Sequence, residues 1–573
     1  MANLYRLITA AAMLALFISA LIITTPTAFA QIPGANIGGA VKGAETPPSE
    51  ARPVPKSPET PVIIQQEEKP LTLPEGRKLL VKDFKIEGAL KRDGTKLSAL
   101  LAPYKGKELT MAEINQAADK VTLFYRDKGY LVAKAYVPKQ DASGGTLVIK
   151  VVLGKYGKFS LKNNSHVKDS IVQGVFDRTK KTSEDVTRDS LERSMLLVRD
   201  MPGAKMPTVT VAPGAAPGTS DFDVSVDPAQ RFNGYAMLDN QGSRYTGKNR
   251  AYAGFDTNSP FGIADKLSLS AMTTNGNDLE NGRAAYSLPL GYSGLRFELA
   301  AARTKYSLGG IYTPLSATGS ANIYEGTLSY PLKRTRSESI DVSLNFAYKQ
   351  LRDNLSAVQS TNPRGDSVVT LAVQRGTYGT LFGRDLFTTL TGSVAAGSID
   401  IQDPTQKAMN QAGANTGGSF WKVNAGFFGN LTLNTNWSLR SSLKVQKALT
   451  DTNLDVIEQM FISGTTGVKS YTELIGGDNG YVANMECRYN LPSFSSMKHA
   501  LGLFADNGWV YAQQGSYTTL RTKTMLSDLG VGYYINFRQA FGSLQVAQPI
   551  GQTHNNIESN PGTRILMQVG ASF

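Results

Sequence analysis

From about Gln230 to Phe573, apolar and polar residues alternate with a period of two, and no helical period competes. "NRAYAGFDT", "DKLSLSAMTT", "RFELAAARTKY", "SIDVSLNFAYKQ", "LFTTLTGSVAAG", "WSLRSSLKVQ" and "RILMQVGASF" typify the segments, and the turn residues Gly, Asn, Asp, Ser and Pro separate them. Alternating segments of roughly ten residues predict a transmembrane barrel of antiparallel strands, about 16 in number. A soluble sandwich or propeller shares the alternation, because any sheet with one wet face shows it. The last segment favours the barrel. Ile565, Met567, Val569, Ala571 and Phe573 share one apolar face, with Arg564, Gln568, Gly570 and Ser572 on or near the other.

Before Gln230 the pattern is mixed. "KLLVKDFKIEG" reads as a strand, "TKLSALLAPY" as a short helix ended by Pro103, and "TMAEINQAADKVTLFYRDKG" as a longer helix. In the longer helix Thr110 and Glu113 stand at capping-box spacing, Ile114, Ala117, Ala118, Val121, Phe124 and Tyr125 form an apolar stripe, and Gly129 is the stop. Strands "YLVAKAYVP" and "GTLVIKVVLG" follow, giving the order β-α-α-β-β. The order recurs from "GKFSLKN", through helices "VKDSIVQGVF" and "TRDSLERSMLLVRDMPG", to strands "MPTVTVAPG" and "SDFDVSVDP". Because Leu153–Tyr156 restarts the pattern, two tandem α+β domains, 79–154 and 155–228, are expected ahead of a barrel at 229–573 rather than one larger domain.

The first 78 residues hold no such domain. Arg6, an apolar run from Leu7 to about Ile23, and the small residues Ala28 and Ala30 predict a signal peptide, 1–30, cut after Ala30; an uncleaved anchor is the alternative. Within 31–78, "ETPPSEARPVPKSPETP" predicts an extended, semi-rigid tether. Ile32–Gly43 reads either as a plug segment, a short helix weakened by its glycines, or as disorder.

Composition narrows the chemistry. Beyond Ala30 no window approaches the ~18 consecutive apolar residues of a spanning helix. Cys487 is the single cysteine, so there is no internal disulfide, and it is expected to be inert. The net charge of +13 invites a nucleic-acid reading, but the 60 basic residues are dispersed and an exported chain meets little nucleic acid, so no such partner is expected. His166, His499 and His554 are too far apart in sequence to suggest a metal site, and neither metal nor cofactor is expected. "SGTTGVKSYTELIGGDNGY", Ser463–Tyr481, looks at first like a phosphate-binding loop. Val468 rather than glycine precedes Lys469, and no amphipathic helix follows, so that reading fails.

Taken together, these segments resemble the two-partner-secretion outer-membrane transporters, the haemolysin-activator/secretion family within the outer membrane protein 85 superfamily. "LERSMLLVRDMPG" (Leu191–Gly203) is similar to the second helix of that family's second POTRA domain. "LDNQGSRYTGKNRAYAGFDTNSPFGIADKLSLS" (Leu238–Ser270), with Asp239, Asn240, Gly242, Gly247, Gly262 and Asp265, resembles its first two barrel strands, and Tyr286–Gly310 its next hairpin. "EQMFISGTTGVKSYTELIGGDNGY" stands where the family has a long loop, here near 460–480, folded from outside into the barrel lumen with a Val-Arg-Gly-Tyr tip. "FADNG", with Phe504, Asp506 and Gly508, matches the family's Phe-x-Asp-x-Gly pattern on a lumen-facing strand. The tip here is Val468-Lys469-Ser470-Tyr471, so lysine replaces arginine and serine replaces glycine. Lysine keeps the charge and loses the planar fork.

The resemblance implies two periplasmic POTRA domains before a barrel in the outer membrane of a Gram-negative bacterium. It implies a latch between Lys469 and Asp506, with Tyr471 at the tip and Phe504 and Gly508 on the strand, and a barrel sorting signal at Phe573. It implies capture of an unfolded exoprotein, a β-rich adhesin or cytolysin, without nucleotide hydrolysis. The other expected partners are outer-membrane lipid, lipopolysaccharide and the barrel assembly machinery. An assembly factor of the same superfamily is the first alternative, although its members usually carry more POTRA domains. A diffusion porin needs no periplasmic binding domains, and an enzyme would need an acid–base, triad or metal motif that the chain does not display.

Overall fold

The computed structural model describes residues 41, 63–65, 78–88, 93–141, 144–515, 523–551 and 562–573. The expected signal peptide, and all of Ile32–Gly43 except Val41, lie outside them, as does His554.

Strand β1 is Ile63–Gln65. The first α+β unit contains β2 (Lys78–Val81), β3 (Asp83–Glu87), α1 (Gly94–Leu101), β4 (Lys107–Thr110), α2 (Met111–Asp127), β5 (Lys134–Tyr136) and β6 (Thr146–Val152). Helix α2 starts where its cap requires: the Thr110 side chain accepts from the Glu113 N–H at 3.3 Å, and the Glu113 carboxylate accepts from the Thr110 N–H at 2.7 Å. Its stripe of Ile114, Ala117, Ala118, Val121 and Tyr125 is buried against Phe84, Leu147 and Ile149 of the sheet β3-β6-β5. The unit departs from the sequence pattern at three places. "KLLVKDFKIEG" is two strands in two sheets, because β2 pairs with β4 while β3 pairs with β6. Lys107–Thr110, only four residues long and with Leu109 as its single apolar side chain, is a strand that local pattern does not reveal. Helix α1 ends at Leu101, and Pro103 sits inside a following 3₁₀ turn, Ala102–Tyr104, where its missing N–H is tolerated.

The second unit contains β7 (Lys155–Asn163), α3 (Asp169–Thr182), α4 (Arg188–Arg199), β8 (Thr208–Pro213) and β9 (Thr219–Val226). Phe159, Phe176 and Phe222 centre its core, with the Phe159 and Phe222 rings stacked at 4.9 Å. The sheet order is β1-β8-β9-β7, and Ile63–Gln65 runs parallel to Val209–Val211. Part of the stretch expected to be only a tether is therefore a strand. The physical reason is that β8 offers an open edge of main-chain donors and acceptors, and a β-branched Ile-Ile pair lies within reach between prolines.

The barrel strands are β10 (Phe232–Asp239), β11 (Arg250–Asn258), β12 (Lys266–Thr274), β13 (Leu279–Pro289), β14 (Arg296–Ser307), β15 (Ala317–Arg334), β16 (Glu338–Leu355), β17 (Ser360–Leu381), β18 (Arg384–Ile401), β19 (Gly418–Thr432) and β20 (Trp437–Ala448). A small hairpin, β21 (Met460–Phe461) with β22 (Gly476–Gly477), lies in the next connection. β23 (Asn479–Asn490), β24 (Met497–Tyr511), β25 (Lys523–Phe537), β26 (Ala540–Pro549) and β27 (Arg564–Ser572) complete the wall. Among the described residues sixteen strands close into one antiparallel barrel, sealed where Tyr235–Asp239 pair with Gln568–Ser572. Alternate residues face outward as large exposed apolar side chains, such as Val369, Leu371 and Val373 on β17 and Ile565, Met567 and Val569 on β27. Such a face suits hydrocarbon rather than water. No helix among the described residues is long and apolar enough to cross a membrane.

The second α+β unit docks on the barrel end that has the short turns. Arg334 donates twice to Asp200 at 2.7 and 2.9 Å, Arg193 donates to the Pro331 carbonyl at 2.7 Å, and the Arg336 N–H donates to Glu192 at 2.9 Å. The long connections, including 449–478, leave from the opposite end.

Two outcomes test these elements. Thr110→Ala should remove the cap of α2 and destabilise the first unit by about 1 kcal/mol, read as faster hydrogen exchange of α2 amides. Phe573 exchanges two main-chain hydrogen bonds of 2.9 Å with Gly234, and its ring covers that glycine. Deleting Phe573 should lower the yield of folded barrel, measured by heat-modifiable migration; an unchanged yield would count against the sorting signal that the resemblance implies.

Candidate functional site

The connection 449–478 does not stay outside the barrel. It folds back along the lumen wall, and its tip is a tight turn in which Val468 N–H donates to the Ile462 carbonyl at 2.7 Å and Gly467 N–H to the Gly464 carbonyl at 3.1 Å. Gly464 has φ of +83°, a value that favours glycine. Ile462, Val468 and Tyr471 are fully or almost fully buried, and with Val482, Val510 and Leu526 of the wall they form a compact apolar cluster. Gly508 allows the contact, since a Cβ there would lie 2.7 Å from the Cβ of Ile462.

At the tip, the Lys469 ammonium donates to Asp506 Oδ2 at 2.7 Å and lies 4.4 Å from the centroid of the buried Phe504 ring. Asn484 donates to Asp506 Oδ1 at 2.8 Å and to the Gly467 carbonyl at 2.9 Å. The Ser470 N–H donates to Asp528 Oδ2 at 2.6 Å. Asn484, Asp506 and Asp528 are register partners on β23, β24 and β25, so one row across three strands faces the tip. Two carboxylates opposite one another repel, and a cation and an N–H placed against them offset that repulsion. Lys469, Tyr471, Phe504, Asp506 and Gly508 are thus together. Phe573 is at the other end of the barrel, on its outer face.

The sequence reading missed further anchors. Near the start of the loop Glu458 meets Lys349 in a short contact and Lys422 at 2.6 Å, while Lys349 also donates to Asp366 at 2.8 Å. Asp455 pairs with Arg364 at 3.2 Å, and Arg364 also holds Asp353 at 2.9 Å. On the returning limb Glu473 accepts from Ser243 Oγ at 2.7 Å and pairs with Arg244 at 3.4 Å. Arg564 on β27 donates to the Lys469 and Tyr471 carbonyls at 3.1 and 3.2 Å. A lumen-facing charge on a strand occupies the polar phase of the alternation like any other polar residue, so pattern alone does not single it out.

Between the loop and the wall opposite the tip row lies a cavity of ≈ 680 Å³, lined among others by Gln241, Tyr245, Gln374, Lys444, Gln459 and Glu473. Val41, helical and fully buried, belongs to an apolar cluster of the barrel interior with Tyr245, Met272 and Leu279. Among the described residues no cluster of His, Cys, Asp and Glu has the make-up of a metal site.

Residues 218–534 match the family described as Haemolysin secretion/activation protein ShlB/FhaC/HecB, and residues 79–154 match the ShlB-type POTRA domain. The chain is 27% identical over 470 residues to the Heme/hemopexin transporter protein HuxB of Haemophilus influenzae, covering 81% of this chain and 82% of that one. It is 26% identical over 236 residues to the outer membrane transporter CdiB of Dickeya dadantii, across 40% of this chain and 41% of the relative. In fold it is similar to CdiB from Escherichia coli, with a TM-score of 0.70 at 18% identity over 88% of this chain and 93% of that one. A sixteen-stranded barrel with a docked α+β unit, and a family match over more than half the chain, lead to one conclusion: the chain belongs to the haemolysin secretion/activation family ShlB/FhaC/HecB, and is an outer-membrane transporter of two-partner secretion with periplasmic POTRA domains.

Proposed function

We propose that the units 79–154 and 155–228 capture an unfolded exoprotein in the periplasm, that the barrel 229–573 passes it outward, and that the loop tip latches the lumen shut between transits. The observation that carries the latch is the Lys469–Asp506 pair, which ties the in-folded loop to the wall at 2.7 Å. The outer edge of β8, covered by β1 only at Val209–Val211, supports the capture step. An extended client can add itself there as a strand, using main-chain bonds that any unfolded sequence supplies. β1 spans only three residues of that edge, a contact short enough for a longer client strand to displace.

The client is read as a β-rich adhesin or cytolysin. A relative named as a hemolysin transporter supports a cytolysin client, and one named as a heme/hemopexin transporter supports an exported partner more generally. Export draws on binding and folding free energy, with outward movement favoured because the folded product does not re-enter. The surrounding lipid and lipopolysaccharide, and the assembly machinery that inserts the barrel, complete the partners. Neither nucleic acid, cofactor nor catalytic residue enters this reading. The leader 1–30 and a tether with plug segment at 31–78 are part of the same proposal.

Removing one member of a buried ion pair leaves the other uncompensated, at a cost of about 3–5 kcal/mol. Lys469→Ala or Asp506→Ala should therefore release the tip and impair export while barrel yield is unchanged; normal secretion from both variants would defeat the latch. Deleting 79–228 should abolish export and leave an ion-conducting pore, and undiminished secretion would remove the capture role. In both cases the readout is the set of secreted proteins with and without the chain. Loss of one large β-rich protein supports the transporter, and loss of many outer-membrane barrels supports an assembly factor.

A further inference from the structure

The family resemblance places an arginine where Lys469 stands, and the geometry explains how lysine suffices. With Oδ2 of Asp506 taking the lysine at 2.7 Å and Oδ1 accepting from Asn484 at 2.8 Å, a single ammonium together with one amide already gives each carboxylate oxygen a donor. The guanidinium at the site comes instead from the last strand. One terminal nitrogen of Arg564 donates to the carbonyls of Lys469 and Tyr471, at 3.1 and 3.2 Å, on either side of Ser470. These acceptors are main-chain atoms, so the grip depends on the shape of the turn and not on the tip's side chains. The Tyr471 carbonyl also accepts from Gly464 N–H at 3.2 Å, so Arg564 bonds to the folded turn and would find its acceptors dispersed if the turn opened.

The position of Arg564 on the barrel adds a second consequence. The seam ladder between β10 and β27 covers Gln568–Ser572, and Arg564 lies outward of it. There β27 is laddered to β26, with Arg564 opposite Ala547, while toward β10 the Asn240 side chain and main chain bridge to Ile565 and Met567 at 2.8 to 3.3 Å. The loop tip is therefore held to β23, β24 and β25 by its own polar groups, and to the outer end of the closing strand by Arg564.

We propose that Arg564 is a positioning residue for the latch: its guanidinium seats the loop tip by holding the carbonyls of Lys469 and Tyr471 against the last barrel strand. The inference rests on the reading of the tip as a lumen latch, and it goes beyond it by adding a second, main-chain-directed holder from a different strand.

The test uses the purified full-length chain in planar lipid bilayers bathed in KCl, with Arg564→Gln, Arg564→Lys and Lys469→Ala compared. A spin label at Thr466→Cys, in a Cys487→Ser background, reports tip mobility directly. Arg564→Gln should raise the open fraction of the pore several-fold and sharpen the label's spectrum, with Arg564→Lys intermediate because it keeps the charge and a multiply donating nitrogen but loses the fixed orientation of the planar guanidinium. Both measurements are made on the folded, heat-modifiable fraction, so reduced assembly does not obscure them. If Lys469→Ala opens the pore while Arg564→Gln conducts like the parent and its label stays immobile, Arg564 does not position the tip. A drop in folded yield with an immobile label also overturns the proposal, because Arg564 would then serve only the strand. If neither variant opens the pore, the latch reading itself falls, and this proposal with it.

Discussion

Hydrocarbon offers no partner for a main-chain N–H or C=O, so every strand in the membrane must satisfy both of its edges within the protein. Closure is the arrangement that does this for a sheet, and here it depends on the short ladder between Tyr235–Asp239 and Gln568–Ser572. The other features of the barrel follow from it. A closed wall has an outer face that must be apolar and an inner face that need not be, which is why the period of two runs through the whole second part of the chain. The strands also bring residues far apart in sequence into one lumen row, as with Asn484, Asp506 and Asp528.

The same constraint decides what is legible in the sequence. Period-two alternation over long segments marks strands of a sheet with two unlike faces and gives their number, the apolar last strand Ile565–Phe573 favours a barrel over a sandwich, and the ends of α2 are equally readable at Thr110, Glu113 and Gly129. Lys107–Thr110 and Ile63–Gln65 are not, because each is a strand only by virtue of a partner edge, and the local residues offer one apolar side chain, Leu109, in the first case and are bounded by prolines in the other. For the site, the motif residues Lys469 and Asp506 stand out by resemblance alone. Glu458, Asp455 and Arg564 look like unremarkable occupants of a loop and of a polar strand face. Their pairings join positions far apart along the chain, and no local pattern encodes such a separation.

The charges inside the lumen also bear on whether the loop can move. Its anchors are spread over separate parts of the wall: Glu458 and Asp455 at the start, the tip row in the middle, and Glu473 on the return. If all broke together, the cost would sum several buried pairs, each with a penalty of several kcal/mol for charge left bare. A client entering the lumen brings water and polar main chain with it, and each anchor it reaches is re-solvated as it opens. Sequential release keeps any single step near the cost of one pair. The ≈ 680 Å³ cavity lies on the side of the loop away from the tip row, beside Gln459 and Glu473. A chain advancing through it would therefore meet the limbs at Gln459 and Glu473 together with the near side of the tip turn at 463–466, while the Lys469–Asp506 pair and the apolar cluster around Tyr471 lie behind that turn against the wall.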